Sequence, residues 1–290
     1  MRYFALILIS SINLYSQEIV EKDTLWTTRG NVAVLLNQTG FSNWIGGGTN
    51  NFSGTLKFDY EWEFKDEGWD WLTNVESAFG LAKYKNAPYA RKIDDRILIQ
   101  SIVGKEFSRN LSFSAFFNFT SQIGNGFKYK KDSENNEIRE LTTRIFSPAY
   151  FQLGSGFLWK KDESLWVNYS PIATRLILVS KKFTSSLSEN ESYFGVAPNK
   201  SSRYELGSNL TFHSEGTLLE NVNYKQDLKL FSNYLEDPSN IDLDYLAQIE
   251  IDVNPLLSTQ LIFQLIYDDN AVSRLQVREV FGVGVQLKLN

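Results

Sequence analysis

Acidic residues recur at every second position in two places. Asp59, Glu61 and Glu63 form one set, and Asp242 and Asp244 the other, with Glu250 and Asp252 farther on. Carboxylates held at a fixed separation can act as acid and base, as in glycoside hydrolysis. Cations share the same periodic face, however: Lys57, Arg96, Arg203, Lys225, Lys229, Arg278 and Lys288, with Glu205 beside Arg203. Charges withdrawn from water need partners. The simpler reading is therefore a salt-bridge network made of Lys57, Asp59, Glu61, Glu63, Arg96, Arg203, Glu205, Asp242, Asp244 and Arg278.

Other reactive groups are scarce. The chain has no cysteine, which removes thiolate metal sites and cysteine nucleophiles. Its single histidine, His213, shares a face with Glu205, Asn209 and Thr211. That places it on a polar interior as a hydrogen-bonded side chain, away from any lipid substrate, so no catalytic residue is expected. Asp268-Asp269-Asn270 reads as a solvated turn, because it lacks the ligand spacing of a calcium loop. Gly46-Gly47-Gly48 has no Lys-Ser/Thr ending and lies between strands, so it is not a phosphate-binding loop. No metal or cofactor is expected. The net charge of −5 gives no basic footprint for nucleic acid.

The elements that must carry these residues are strands. In NFSGTLKFDYEWEF (51–64), Phe52, Leu56, Phe58, Tyr60, Trp62 and Phe64 take one parity and the polar residues take the other. Strand side chains alternate between faces, so this is a long strand with one apolar and one polar face. The same alternation recurs to the end of the chain and predicts twelve strands. The connections after the second, fourth, sixth and tenth are short. Residues 214–220 form a middling one, and 121–148 and 180–202 form long polar ones. Strand length, the alternation of short and long connections, and an apolar face with little charge predict a single antiparallel transmembrane β-barrel. Glu279 is the main charged exception on that face, with Lys83, Asp95 and Lys105 near strand ends. Trp26, Trp62, Trp69, Trp71, Trp159 and Trp166 flank the short-turn rim and predict an aromatic girdle there. The surrounding partner would be outer-membrane lipid.

Arg2, the apolar run that follows it and Ser16 have the layout of a signal peptide over residues 1–16. Residues 17–25 are then a periplasmic segment and 26–290 the barrel, with both termini periplasmic. Asn43-Trp44 followed by Gly46-Gly47-Gly48 resembles the Asn-Trp-x-x-Gly-Gly region of a Bacteroidota family of unknown function, the DUF3078 type. The resemblance implies an outer-membrane β-barrel and no activity. The chain departs from many such barrels in ending Leu287-Lys288-Leu289-Asn290 without a terminal aromatic residue.

These features predict a non-enzymatic barrel: a narrow pore, small-solute transporter or structural barrel. The alternative is a binding or assembly module for a surface or envelope protein, with Lys128, Tyr129, Lys130 and Lys131 as a contact patch. A lipid-modifying enzyme ranks third. Asn43, Trp44, Gly46, Gly47 and Gly48 fall in the first long-rim loop. There Trp44 either anchors the outer interface or, with Asn43, lines the mouth. If it lines the mouth, Trp44→Ala raises single-channel conductance or abolishes solute binding in an intact barrel. An unchanged channel leaves only the anchoring role.

Overall fold

The computed structural model describes residues 25–41 and 49–289. The signal-peptide assignment and the mouth candidates Asn43, Trp44, Gly46, Gly47 and Gly48 lie outside the described residues. Among the described residues there are fourteen strands: β1 (Trp26–Thr39), β2 (Asn51–Asp66), β3 (Trp69–Tyr84), β4 (Arg91–Ser108), β5 (Leu111–Ser121), β6 (Gly126–Lys131), β7 (Glu137–Thr143), β8 (Ala149–Asp162), β9 (Leu165–Leu178), β10 (Ser202–Leu219), β11 (Val222–Asn233), β12 (Ile241–Asp252), β13 (Leu257–Asp268) and β14 (Val272–Leu289). Twelve of them close into one antiparallel barrel, in which β14 returns to β1. The other two, β6 and β7, pair with each other as a separate hairpin inside the long 121–148 connection. The other long connection carries a single helical turn, α1 (Lys181–Thr184).

The two faces follow the predicted parity. Phe52, Leu56, Phe113, Phe117, Leu153, Tyr204, Val277, Phe281 and Val283 are exposed on the outside. Thr55, Ser114, Asn118, Asn168, Asn209, Gln260 and Gln264 are buried within. An apolar band outside and a polar lining inside is the arrangement a bilayer selects. Around the short-turn rim Trp26, Trp62, Trp69, Trp71 and Trp159 lie exposed on the outer face, forming the girdle. Trp166 corrects that expectation. It points inward, is 4% exposed and packs in the barrel core. Sequence distance to the rim was right, but Trp166 has the opposite parity to Leu165 and Val167.

Three charges assigned to the apolar face have hydrogen-bond partners near the strand ends. The Asp95 carboxylate accepts the backbone N–H groups of Ile123 (2.7 Å) and Gly124 and pairs with Lys92 at 2.6 Å. Lys83 donates to the carbonyls of Ala87 and Pro88, and Lys105 donates to that of Glu67. The middling turn at 214–220 is also corrected. β10 runs on to Leu219, so only Glu220 and Asn221 connect it to β11. Polar residues at the end of β10 masked the strand signal.

Pro171 blurs the period of β9 because it sits at a register shift against both neighbours, β8 and β10. The shift resets the parity, so Tyr169 and Ile172 both face outward while Ala173 and Arg175 face inward. On the far side of this bulge, Gly207 lies so close to β11 that an added Cβ would stand 1.8 Å from the Ser232 carbonyl oxygen. Only glycine fits there. Gly207→Ala is expected to destabilise the barrel by about 1–3 kcal/mol through overpacking. Gly54→Ala is the control, since its new methyl would meet only ordinary contacts. Urea unfolding in lipid vesicles, followed by tryptophan fluorescence, measures both.

Candidate functional site

The barrel interior is divided into a packed side and a hollow side. Beneath β4, β5 and β8 to β11, Ile102, Phe116, Leu158, Trp166, Ala173 and Phe231 pack together. Small polar groups fill the gaps, with Ser114 donating to Asn168 at 2.6 Å. Above this core Arg175 lies over the Phe231 ring at 4.3 Å and forms ion pairs with Glu205 and Asp242. Glu205 is fully buried and also receives Arg203 at 2.7 Å, while Arg203 continues to Glu236. A dry carboxylate needs such coverage.

The hollow side faces β1 to β4 and β10 to β14. It holds a cavity of about 440 Å³ lined by Lys57, Asp59, Glu76, Arg96, Lys225 and Arg278, with apolar wall at Ala33, Leu246 and Ile262. Glu76 takes Arg96 at 2.7 Å and Lys225 at 2.9 Å, and Arg278 pairs with Asp94. Toward the short-turn rim a second space of about 370 Å³ is lined by Leu25, Thr27, Arg29, Glu61, Glu63, Lys65 and Glu163. Arg29 lines this second space, bonded to Glu61 at 2.6 Å and, at 3.1 Å, to Glu215, which lines the central cavity. Glu63 takes Lys160 at 2.9 Å. Glu163, in the turn below, is held beneath the usual carboxylate range by the hydrogen bond from Lys65.

At the opposite end the 179–201 connection lies over the barrel mouth. Tyr193 donates to the Thr142 carbonyl on one side. On the other, Gly195 sits against Arg203 and against Asn270 of the β13–β14 turn. Val196 and Thr184 beneath are fully buried, so this cap is packed in place.

The predicted network residues thus all face the interior, but they do not form one cluster. Arg203, Glu205 and Asp242 belong to the packed upper part, Lys57, Asp59, Arg96 and Arg278 to the cavity, and Glu61 and Glu63 to the lower vestibule. Asp244 accepts a hydrogen bond from Gln264 at 2.8 Å. Sequence reasoning missed Arg175, because Pro171 hides the parity of β9. It also missed Glu76 and Arg29, which the alternation of β3 and β1 does place inward. His213 accords with a structural role: its Nδ1 lies 2.8 Å from Asp227 and its ring stacks on Trp166 at 5.1 Å.

The Asp268 turn is less solvated than expected. Asp242, Asp268 and Asp269 bring carboxylate oxygens within 4.8 Å of one another. Arg175 already occupies Asp242, and backbone N–H groups of Asn270 and Ala271 occupy Asp268, so protein groups provide the compensation.

Fold and lining together define a transmembrane β-barrel with a polar, partly hollow interior. A model of the family described as protein of unknown function (DUF3078) matches residues 36–127. No curated protein matches the chain in sequence. Among solved structures, the translocator domain of the autotransporter NalP from Neisseria meningitidis is similar, with TM-score 0.42 and 10% identity over 89% of this chain and 87% of that one. An outer membrane channel from Pseudomonas putida F1 is similar with TM-score 0.36 and 10% identity over 93% and 99% of the two chains. The Pseudomonas putida toluene transporter TodX gives TM-score 0.34 and 9% identity over 91% and 87%.

Replacing Arg175 by Met strands the buried carboxylates and is expected to cost about 3–5 kcal/mol. Lys130→Met, which removes an exposed pair with Glu140, is expected to cost at most about 1 kcal/mol. Denaturant unfolding of the two variants in parallel checks the contrast, and Arg175→Met combined with Glu205→Gln should recover part of the loss.

Proposed function

We propose that this chain is an outer-membrane β-barrel of the DUF3078 family that takes small polar solutes into its central cavity and passes them along the barrel axis, without catalysing a reaction. Residues 1–16 are its export signal, and the short-turn rim with both termini faces the periplasm. The observation that carries this reading is the charged cavity of about 440 Å³, whose lining is joined to that of the second space by the Arg29–Glu215 ion pair. The volume suits a small ligand, and groups of both signs give polar solutes fixed partners. Arg29 is the constriction between the two spaces and the 179–201 cap restricts the far mouth, so passage is narrow. His213 is committed to Asp227 and Trp166 and serves the lining.

A second reading is favoured by the β6–β7 hairpin, which is braced against the barrel. Arg91 lies 3.4 Å from the Tyr129 ring centre and also pairs with Glu137. A stiff projection of this kind is a docking element for an envelope or surface protein, with Lys128 and Lys131 at its edge. Deleting residues 124–144 should then abolish capture of that partner while heat-modifiable electrophoresis still shows an intact barrel.

Reconstitution into planar bilayers tests the first reading. Small, discrete conductance steps are expected, and Arg29→Ala should enlarge them severalfold. A barrel that inserts and stays silent in both forms overturns it.

A further inference from the structure

Most of the charges around the central cavity neutralise one another. Glu76 takes Arg96 and Lys225, Asp94 takes Arg278, and Glu215 takes Arg29. Glu250 accepts a hydrogen bond from the Gln260 amide at 3.3 Å. Lys57 and Asp59 also line this cavity. Neither forms an ion pair among the described residues, and the Asp59 side chain makes no hydrogen bond with any of them.

These two residues lie two apart on the inward face of β2 and are partly buried. Opposite charges so placed could pair with each other. Instead the Lys57 ammonium turns to Gln260 on β13 and donates to its Oε1 at 2.8 Å. Gln260 is held for this by its other end, because its Nε2 donates to Glu250. An ammonium has three N–H groups, and a carboxylate can accept about four hydrogen bonds. One of the former and none of the latter is used by the protein. Partly buried charges left in this state favour a ligand that supplies both counter-charges.

The spacing selects the ligand further. Residues two apart on a strand stand about 7 Å from each other. That leaves room for a group bearing its two charges on one carbon, with a charge-assisted hydrogen bond at each end. A simple anion on Lys57 would face the Asp59 carboxylate, and a simple cation on Asp59 would face the Lys57 ammonium. A zwitterion meets both. The wall beside the pair is apolar. Ala33 stands opposite Lys57 in the β1–β2 register, Ile262 follows Gln260 on the same face of β13, and Leu246 on β12 lies diagonally across from Ile262. All three are buried and line the cavity.

We infer that the central cavity binds a free α-amino acid with an aliphatic side chain. Its carboxylate meets the Lys57 ammonium, its ammonium meets Asp59, and its side chain lies along Ile262 and Leu246. This site rests on the solute-binding cavity given above and names its ligand class; it does not depend on axial passage.

The probe is radiolabelled L-leucine, measured by equilibrium dialysis against the full-length protein in lipid nanodiscs. Saturable binding is expected. Two analogues each remove one charge: leucinamide lacks the carboxylate and 4-methylpentanoate lacks the ammonium. Each should compete roughly tenfold or more worse than leucine, the loss expected for one charged hydrogen bond. Glycylleucine, whose charges lie farther apart, should also compete poorly. These comparisons use the unaltered chain, so they hold whether or not a variant folds.

Lys57→Met and Asp59→Asn, checked for an intact barrel by heat-modifiable electrophoresis, should each weaken leucine binding by a similar factor. In Lys57→Met, leucine should lose its advantage over leucinamide and keep its advantage over 4-methylpentanoate. Asp59→Asn should give the reverse. Absence of saturable leucine binding overturns the site, as do analogues that compete as well as leucine. Glycylleucine binding more tightly than leucine, or leucine affinity unchanged in both folded variants, also sinks it. The two readings separate in planar bilayers. A barrel that conducts ions but binds no leucine keeps the pore and loses this site. One that binds leucine and stays silent keeps the site and loses axial passage.

Discussion

Backbone hydrogen bonding in a medium without water is the constraint on which this structure depends. Every strand N–H and C=O in the apolar band must find a partner on a neighbouring strand, so the sheet has to close. Closure then fixes the rest. Side chains of one parity meet lipid, the other parity fills a narrow interior, and short turns gather at one rim.

The interior shows how a barrel of twelve strands uses its charges. Where the walls approach, apolar residues and small hydroxyls pack densely, and the Arg175 network is tied to Glu205, which is fully buried. Where they diverge, Glu76 is shared by Arg96 and Lys225 at the edge of open space. Charges of both signs therefore do two things. In the dry region they hold strands in register at high desolvation cost, so removing one partner is destabilising. In the cavity they line the open space.

Much of the architecture could be read along the chain. Residues 51–64 reveal strand parity directly, because aromatic and charged side chains alternate without a break. The rim positions of Trp62, Trp69, Trp71 and Trp159 follow from their distance to short turns. The reading failed where the backbone departs from a strict period of two. Pro171 inserts a register shift, and beyond it Arg175 changes face. Trp166 lies beside the predicted rim, yet its parity sends it to the core, where it stacks on His213.

The sequence by itself determined the alternation, the number of barrel strands, the two kinds of rim and the inward direction of the charged residues. These are local properties: a strand side chain takes its face from its neighbours along the chain. The tertiary structure decided which inward polar and charged groups meet, because Arg29 and Glu215, or Lys57 and Gln260, come from strands that approach only across the closed barrel. It also decided which side of the interior is packed and which hollow, and that the 179–201 connection caps the mouth. Those outcomes depend on register and on contacts between distant segments, and no local period encodes them.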